Sequence, residues 1–169
     1  MAARPVSLLN LLRRPDFTRK QKRPAHLIAR IAMQSKNIPR NVARVLYVED
    51  HEDTRELVTL VLEQKSFEVV TGGTIASGVA LAGSEQFDLY LLDSWLPDGS
   101  GLDLCKQIRT FDKSTPILFY SAAAYEIDRD QAIKSGAQAY LVKPSHPSEL
   151  CRVVETLIES HRRYERAAS

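Results

Sequence analysis

Acidic, hydroxyl and lysine side chains follow short apolar runs in this sequence. Glu49 and Asp50 come directly after one run, and Asp93 follows another. Ser121 and Lys143 follow two later runs of the same kind. Carboxylate oxygens are the ligands that a hard cation such as Mg²⁺ prefers. A carboxylate can also attack phosphorus, while a lysine and a hydroxyl hold the phosphoryl oxygens. Brought together, these side chains would support magnesium-dependent phosphoryl chemistry.

Five apolar runs of strand length alternate with five amphipathic segments and would bring these side chains together. The predicted strands cover 44–48, 67–71, 88–92, 116–120 and 139–142, and the predicted helices 54–65, 74–83, 101–111, 128–135 and 147–163. Such alternation predicts a parallel α/β sheet with right-handed crossovers, and the continuous apolar runs predict helices on both faces. The carboxyl ends of the strands then form the binding edge. Asp53 or Thr54 is predicted to cap the first helix and Ser145 the last.

Each candidate residue also has an ordinary structural interpretation. An acid after a strand often caps a helix, a serine there is often a turn residue, and Lys143-Pro144 alone would be a loop. Tyr140 alone would belong to the core. A bare carboxylate directly after an apolar strand is costly unless it is bound, which favours a functional role for Asp93.

Composition divides the chain into a basic segment and a larger acidic one. The chain has 169 residues, 44% of them apolar, which suits one domain with an extension. Residues 1–40 contain ten lysines and arginines but only one acidic residue. Residues 41–169 contain thirteen lysines and arginines and twenty acidic residues. We therefore predict an extension over 1–42 and a domain over 43–165. The extension is interpreted as a disordered tail or a misassigned start near Met33; a transit-like segment or a nucleic-acid-binding arm stays open.

Cellular location is predicted from what the sequence lacks. No apolar run reaches the ~20 residues that a membrane-spanning helix needs, and the first residues do not form a secretory signal. The two cysteines, Cys105 and Cys151, are far apart and lack metal-site spacing. They predict reduced, buried thiols in a cytoplasmic protein.

Four motifs in this order resemble the response-regulator receiver family of two-component phosphorelays. They are V-E-D at 48–50, D-S-W-L-P-D-G-S-G at 93–101, P-I-L-F-Y-S-A-A at 116–123 and A-Y-L-V-K-P at 139–144. The resemblance covers about residues 43–163. It implies a flavodoxin-like, doubly wound (βα)5 fold with strand order 2-1-3-4-5. It also implies a phosphorylation switch of the single-domain type, loaded by a sensor histidine kinase or a histidine phosphotransfer protein.

The resemblance assigns the metal and acceptor residues one by one. Asp93 matches the phosphoacceptor. Asp50 and Asp93 match the Mg²⁺ carboxylates, with Glu49 acting directly or through water. The backbone carbonyl of Trp95 matches the third protein ligand. The large Trp95 side chain departs from the family's habit. We expect it to slow hydrolysis of the acyl phosphate, to point into solvent or mark a partner-binding patch, or to pack on its loop.

The resemblance also assigns the residues that respond to the phosphoryl group. Ser121 matches the switch hydroxyl, Lys143 the phosphoryl-binding lysine and Tyr140 the aromatic switch. Pro144 matches a proline whose peptide bond is usually cis. Residues 136–140 lack the acidic pair that many DNA-binding members carry, which puts their receiver dimer in doubt. Because six residues follow Arg163, we expect output through a partner protein on the face of the fourth helix, fifth strand and fifth helix.

Two other function classes compete with the switch. A magnesium-dependent aspartyl-phosphate phosphatase of the haloacid-dehalogenase type needs D-x-D at the nucleophile, but Trp95 occupies the second acidic position. We therefore expect no enzyme beyond self-phosphorylation and slow autodephosphorylation. Nucleic-acid binding would depend on the basic residues of 1–40 and would weaken with salt.

Overall fold

Five parallel strands form the central sheet of the computed structural model, which describes residues 42–168. The strands are β1 Arg44–Val48, β2 Glu68–Gly72, β3 Leu89–Leu92, β4 Ile117–Ser121 and β5 Ala139–Val142. Their order is β2-β1-β3-β4-β5, with every neighbouring pair parallel. The predicted flavodoxin-like α/β fold and its strand order are confirmed. Apart from Val42, the predicted extension over 1–42 lies outside the described residues.

One helix follows each strand. The helices are α1 Glu52–Glu63, α2 Ile75–Ser84, α3 Gly101–Phe111, α4 Glu126–Ser135 and α5 Pro147–Ala168. Within residues 42–168, none of the helices is long and apolar enough to span a bilayer. Cys105 on α3 and Cys151 on α5 are both buried free thiols, and burial raises the pKa of each above its ordinary value.

Alternation along the strands divides the core into two layers. Successive strand side chains point to opposite faces. Val45 and Tyr47 of β1 therefore pack in one cluster with residues of α1 and α5, whereas Leu46 and Val48 pack in the other with residues of α2, α3 and α4. Both faces of the sheet are covered, which is why its strands are continuously apolar.

The predicted start of the first helix is wrong by two residues. Asp53 and Thr54 lie inside α1 rather than capping it, and the residue before the helix, His51, makes no side-chain cap bond. Glu52 and Asp53 in the first turn favour this earlier start, since negative charge stabilises a helix amino terminus. The helix also ends earlier than predicted, because Ser66 takes a left-handed φ of 63° and reverses the chain.

The predicted cap of the last helix is also wrong. α5 begins at Pro147, so His146 rather than Ser145 precedes it. The Nδ1 of His146 accepts the backbone N–H of Ser148 at 3.3 Å. The hydroxyl of Ser145 instead lies 3.4 Å from the hydroxyl of Tyr120.

The loop after β3 is held in place by hydrogen bonds to a neighbouring helix. Residues Trp95–Leu96 pair antiparallel with Gly99–Ser100, a ribbon that was not predicted. Between these pairs, the carboxylate of Asp98 accepts the backbone N–H groups of Ile75 at 2.7 Å and Ala76 at 3.0 Å. These bonds to the first turn of α2 lower the pKa of Asp98. The loop is thereby tied to a neighbouring helix as well as to its own strand.

We predict that Gly101→Ala strongly destabilises the fold. A Cβ at this position would lie 1.9 Å from the backbone oxygen of Asp93, so the loop would have to move. Overpacking of this kind costs about 3 kcal/mol. The control is Gly83→Ala in α2, where a Cβ would meet nothing within 4 Å. Urea denaturation should show a large loss for Gly101→Ala and a gain of up to about 1 kcal/mol for Gly83→Ala. Equal stabilities would contradict the close approach.

Candidate functional site

Glu49, Asp93 and Lys143 each stand one residue beyond a strand of the sheet. Their backbone N–H groups still bond to the neighbouring strand, at 2.9, 3.0 and 2.8 Å respectively. The strand geometry therefore continues through them, and all three fall on the face that α1 and α5 cover. This placement brings together residues that are up to 94 positions apart in sequence.

Lys143 bridges two buried carboxylates. Its Nζ donates to Oε2 of Glu49 and, at 3.0 Å, to Oδ1 of Asp93. The other oxygen of Asp93 accepts the backbone N–H of Trp95 at 2.8 Å. Glu49 and Asp93 are both buried, and the lysine side chain is only 15% exposed. Charges at this depth need partners, because isolated charges in the interior are very costly.

An acidic cluster lies beside this ion pair. Oxygens of Glu49, Asp50 and Asp93 all lie within 4.8 Å of one another. Asp50 is exposed, which leaves the cluster open to solvent on one side. Carboxylate oxygens at this spacing fit a hard divalent cation, whose charge would relieve their repulsion. The donor set is therefore chemically suited to Mg²⁺.

Ser121 and Tyr140 lie on the opposite face of the sheet from Lys143. Ser121 is fully buried, and its hydroxyl accepts the N–H of Ala123 at 3.4 Å. The hydroxyl of Tyr140 donates to the carbonyl of Ala123 at 2.7 Å and lies 3.5 Å from the hydroxyl of Ser94. The Tyr140 ring stacks on Phe119 and already lies against the sheet. Both residues thus contact the segment that follows β4.

The two remaining predicted positions have distinct surroundings. The peptide bond between Lys143 and Pro144 is cis, as the resemblance implies. The indole of Trp95 is 69% exposed, so it does not pack closely on its loop. Its backbone is fixed by the N–H bond to Asp93.

Two tyrosines beneath the site were not predicted. Tyr47 lies two residues before Glu49, and its hydroxyl donates to Oε2 of Glu49 at 2.8 Å. Burial, followed by the charge of Glu49, raises the pKa of Tyr47 well above its ordinary value. The Tyr120 ring centroid lies 5.3 Å from Nζ of Lys143. The alternation of side chains along the strands was the available signal, since Tyr47 and Glu49 share a face.

Arg55 also contributes to the site and was not predicted. One of its guanidinium nitrogens donates to the backbone carbonyls of Glu49 at 2.8 Å and Asp50 at 3.3 Å. These bonds tie the first turn of α1 to the two acids that precede it. The guanidinium fixes the acids through their backbone and leaves their carboxylates to other partners.

The sequence also matches a known family model, that of the response regulator receiver domain, over residues 45–155. The chain belongs to the response-regulator receiver family. Its receiver domain is 34% identical over 117 residues to the phosphate regulon transcriptional regulatory protein PhoB of Escherichia coli. That alignment covers 68% of this chain and 51% of PhoB. The chain spans about half the length of the curated relatives it matches.

Solved structures of receiver domains are similar to this one. The non-phosphorylated HemR receiver domain from Leptospira biflexa is 36% identical, with a TM-score of 0.65 over 69% of this chain and 94% of that one. Chemotaxis protein CheY4 from Vibrio cholerae is 28% identical, with a TM-score of 0.66 over 69% of this chain and 98% of that one. The chain thus contains a receiver domain of two-component regulatory systems.

We predict that Lys143→Met destabilises the receiver domain by about 3 kcal/mol, because it leaves two buried carboxylates without their cation. The control is Lys106→Met, since Lys106 pairs with Asp103 at 3.7 Å with both side chains exposed. Removing an exposed pair should cost less than about 1 kcal/mol. Urea unfolding in the presence of a chelator measures both. A loss no greater for Lys143→Met than for Lys106→Met would contradict the bridging role.

Proposed function

We propose that this receiver domain is a phosphorylation-dependent switch whose acceptor is Asp93. The phosphoryl group would come from a sensor histidine kinase or a histidine phosphotransfer protein. The contact between Lys143 and the buried carboxylate of Asp93, beside an acidic cluster, carries the proposal. This arrangement offers a nucleophile, a cation for the phosphoryl oxygens and ligands for Mg²⁺ within one site.

In the proposed reaction a carboxylate oxygen of Asp93 attacks the phosphorus of a phosphohistidine. The new O–P bond forms as the P–N bond breaks, and the imidazole leaves with the bonding electrons and takes a proton from solvent. Asp50, Asp93 and the backbone carbonyl of Trp95 would hold Mg²⁺, with Glu49 acting directly or through water. When bound, Mg²⁺ supplies positive charge to the phosphoryl oxygens.

Lys143 has to change partner in this reaction. Its ammonium now contacts Glu49 and Asp93. Once Asp93 carries a phosphoryl group, the strongest negative charge lies on the new oxygens, and Lys143 would move toward them. The hydroxyl of Ser121 would move to the same oxygens from the other face. That movement would shift the backbone of Ala123, which contacts both Ser121 and Tyr140.

The output surface is proposed on the face of α4, β5 and α5. A cavity of about 310 Å³ opens there beside Tyr140 and is lined by Ala124, Tyr125, Glu126, Arg129, Tyr140 and Val142. Because Tyr140 contacts Ala123 and also lines this cavity, a shift of the segment after β4 would reach it. We propose a partner protein as the recipient of the signal rather than nucleic acid.

Steady turnover of phosphate esters is not part of the proposal. The position where a phosphatase of the haloacid-dehalogenase type carries its second aspartate is Trp95, with an exposed indole and no acidic group. The domain would accept a phosphoryl group on Asp93 and slowly hydrolyse it, without turning over other phosphate esters.

We predict that the chain treated with Mg²⁺ and acetyl phosphate gains one phosphoryl group at Asp93. Intact-mass and peptide mass spectrometry should locate it, and hydroxylamine should remove it, because it is an acyl phosphate. Asp93→Asn should abolish the gain, while Asp103→Asn, which changes an exposed acid on α3, should not. Phosphate on Ser94 or Ser121 in the wild type would contradict the assignment.

Ser121→Ala is predicted to leave phosphorylation of Asp93 intact but to weaken the conformational response to it. The variant should accept the phosphoryl group on Asp93, since its carboxylate and Lys143 are intact. The change in amide hydrogen exchange over residues 122–135 should be largely lost, because the hydroxyl no longer follows the phosphoryl group. Ser114→Ala, at an exposed position, is the control. A full exchange response in Ser121→Ala would show that the signal takes another route.

A further inference from the structure

We propose that Tyr47 is a positioning residue for Glu49 and thereby sets the affinity of the acidic cluster for Mg²⁺. The inference rests on the proposed function, in which that cluster holds the cation. Tyr47 lies on β1, two residues before Glu49. Its only described side-chain hydrogen bond goes to the carboxylate of Glu49.

The carboxylate of Glu49 has three described donors. Oε2 accepts from the hydroxyl of Tyr47 at 2.8 Å and from Nζ of Lys143. Oε1 accepts the backbone N–H of His51 at the longer distance of 3.3 Å. In the proposed reaction Lys143 moves toward the phosphoryl group. Tyr47 is then the closest donor that stays with the buried carboxylate.

Tyr47 is well suited to act as a fixed point. It is fully buried in the core layer between the sheet and helices α1 and α5, where it packs with residues such as Val58 and Leu62. The tyrosine side chain has few rotatable bonds, and the closely packed core around it restricts its movement. A glutamate side chain, by contrast, has three torsions to restrict. The tyrosine hydroxyl thus holds one oxygen of Glu49 and leaves the other for the cation or its water.

Hydrogen bonds to metal-binding carboxylates commonly decide metal affinity. Loss of such a partner typically weakens binding by about 10- to 100-fold. The bond here joins a hydroxyl to an ionised group, which makes it stronger than a neutral one. It also prevents Glu49 from becoming a buried carboxylate with too few partners when Lys143 moves.

The receiver domain contains a matched pair for comparison. Tyr90 on β3 is also buried, and its hydroxyl donates to Oδ2 of Asp112 at 2.8 Å, beyond the end of α3. Tyr90→Phe and Tyr47→Phe therefore each remove one bond between a buried tyrosine and a carboxylate. Of these two tyrosines, Tyr47 is the one whose hydroxyl bonds to a carboxylate of the acidic cluster.

The test is a titration of the full-length wild type, Tyr47→Phe and Tyr90→Phe with magnesium chloride. Binding is followed by the fluorescence of Trp95, the only tryptophan of the chain, and independently by the rise in Tm. Tyr47→Phe should raise the Kd for Mg²⁺ by about tenfold, whereas Tyr90→Phe should leave it unchanged. An unchanged Kd in Tyr47→Phe, or an equal rise in both variants, would overturn the inference.

A second pair of variants tests whether Tyr47 affects Mg²⁺ affinity through Glu49. In a Glu49→Gln background, adding Tyr47→Phe should cause no further loss of Mg²⁺ affinity, because the two changes affect one interaction. A further tenfold loss would show that Tyr47 acts elsewhere and would overturn the inference. A wild type that binds no Mg²⁺ would overturn the proposed metal site and this inference with it. Normal binding by the wild type and by Tyr47→Phe would overturn the inference alone.

Discussion

The ion bridge from Lys143 to Glu49 and Asp93 is the interaction on which the site depends. Two carboxylates at the edge of an apolar sheet would repel each other and would be costly to bury alone. One ammonium between them gives each carboxylate an ion-pair partner and offsets part of their repulsion. The same arrangement is poised for change, because any new charge on Asp93 alters what the lysine prefers to contact.

The two faces of the sheet contribute differently to the site. Tyr47, Glu49, Asp93 and Lys143 lie on the face of α1 and α5, where burial and hydrogen bonds hold them. Ser121 and Tyr140 lie on the face of α3 and α4 and meet at the backbone of Ala123. The proposed phosphoryl chemistry and its proposed readout are therefore separated by the thickness of the sheet. Strand β4 connects them, since Asp93 lies beside its carboxyl end and Ser121 is its last residue.

Most of the fold follows from the alternation of apolar runs and helical segments. Element order and type were predicted correctly, and the strand order came from the resemblance to receivers. Boundaries were less predictable. The first turn of α1 depends on the charges of Glu52 and Asp53, and the start of α5 depends on a histidine that accepts a backbone N–H. The ribbon after β3 has two residues in each arm, too few to leave a pattern in the sequence.

The candidate site was predictable to a similar degree. Sequence placed the acids and the lysine at strand ends, and the structure brings Glu49, Asp50, Asp93 and Lys143 together. It did not identify Tyr47 or Arg55 as their supports. Tyr47 is a core residue, and the partner of its hydroxyl is fixed only by the folded arrangement of β1 and its neighbours. Supporting contacts of this kind depend on side-chain geometry that residue types alone do not specify.

The bonds from Asp98 to the first turn of α2 have a consequence for how the site meets a ligand. They secure the loop that carries Asp93 and Trp95 at its far end, while β3 secures its near end. The conformational entropy of this loop is therefore lost on folding rather than on binding. We expect a cation that approaches the acids to meet a largely preformed loop, so that its affinity would reflect charge and distance more than ordering of the chain.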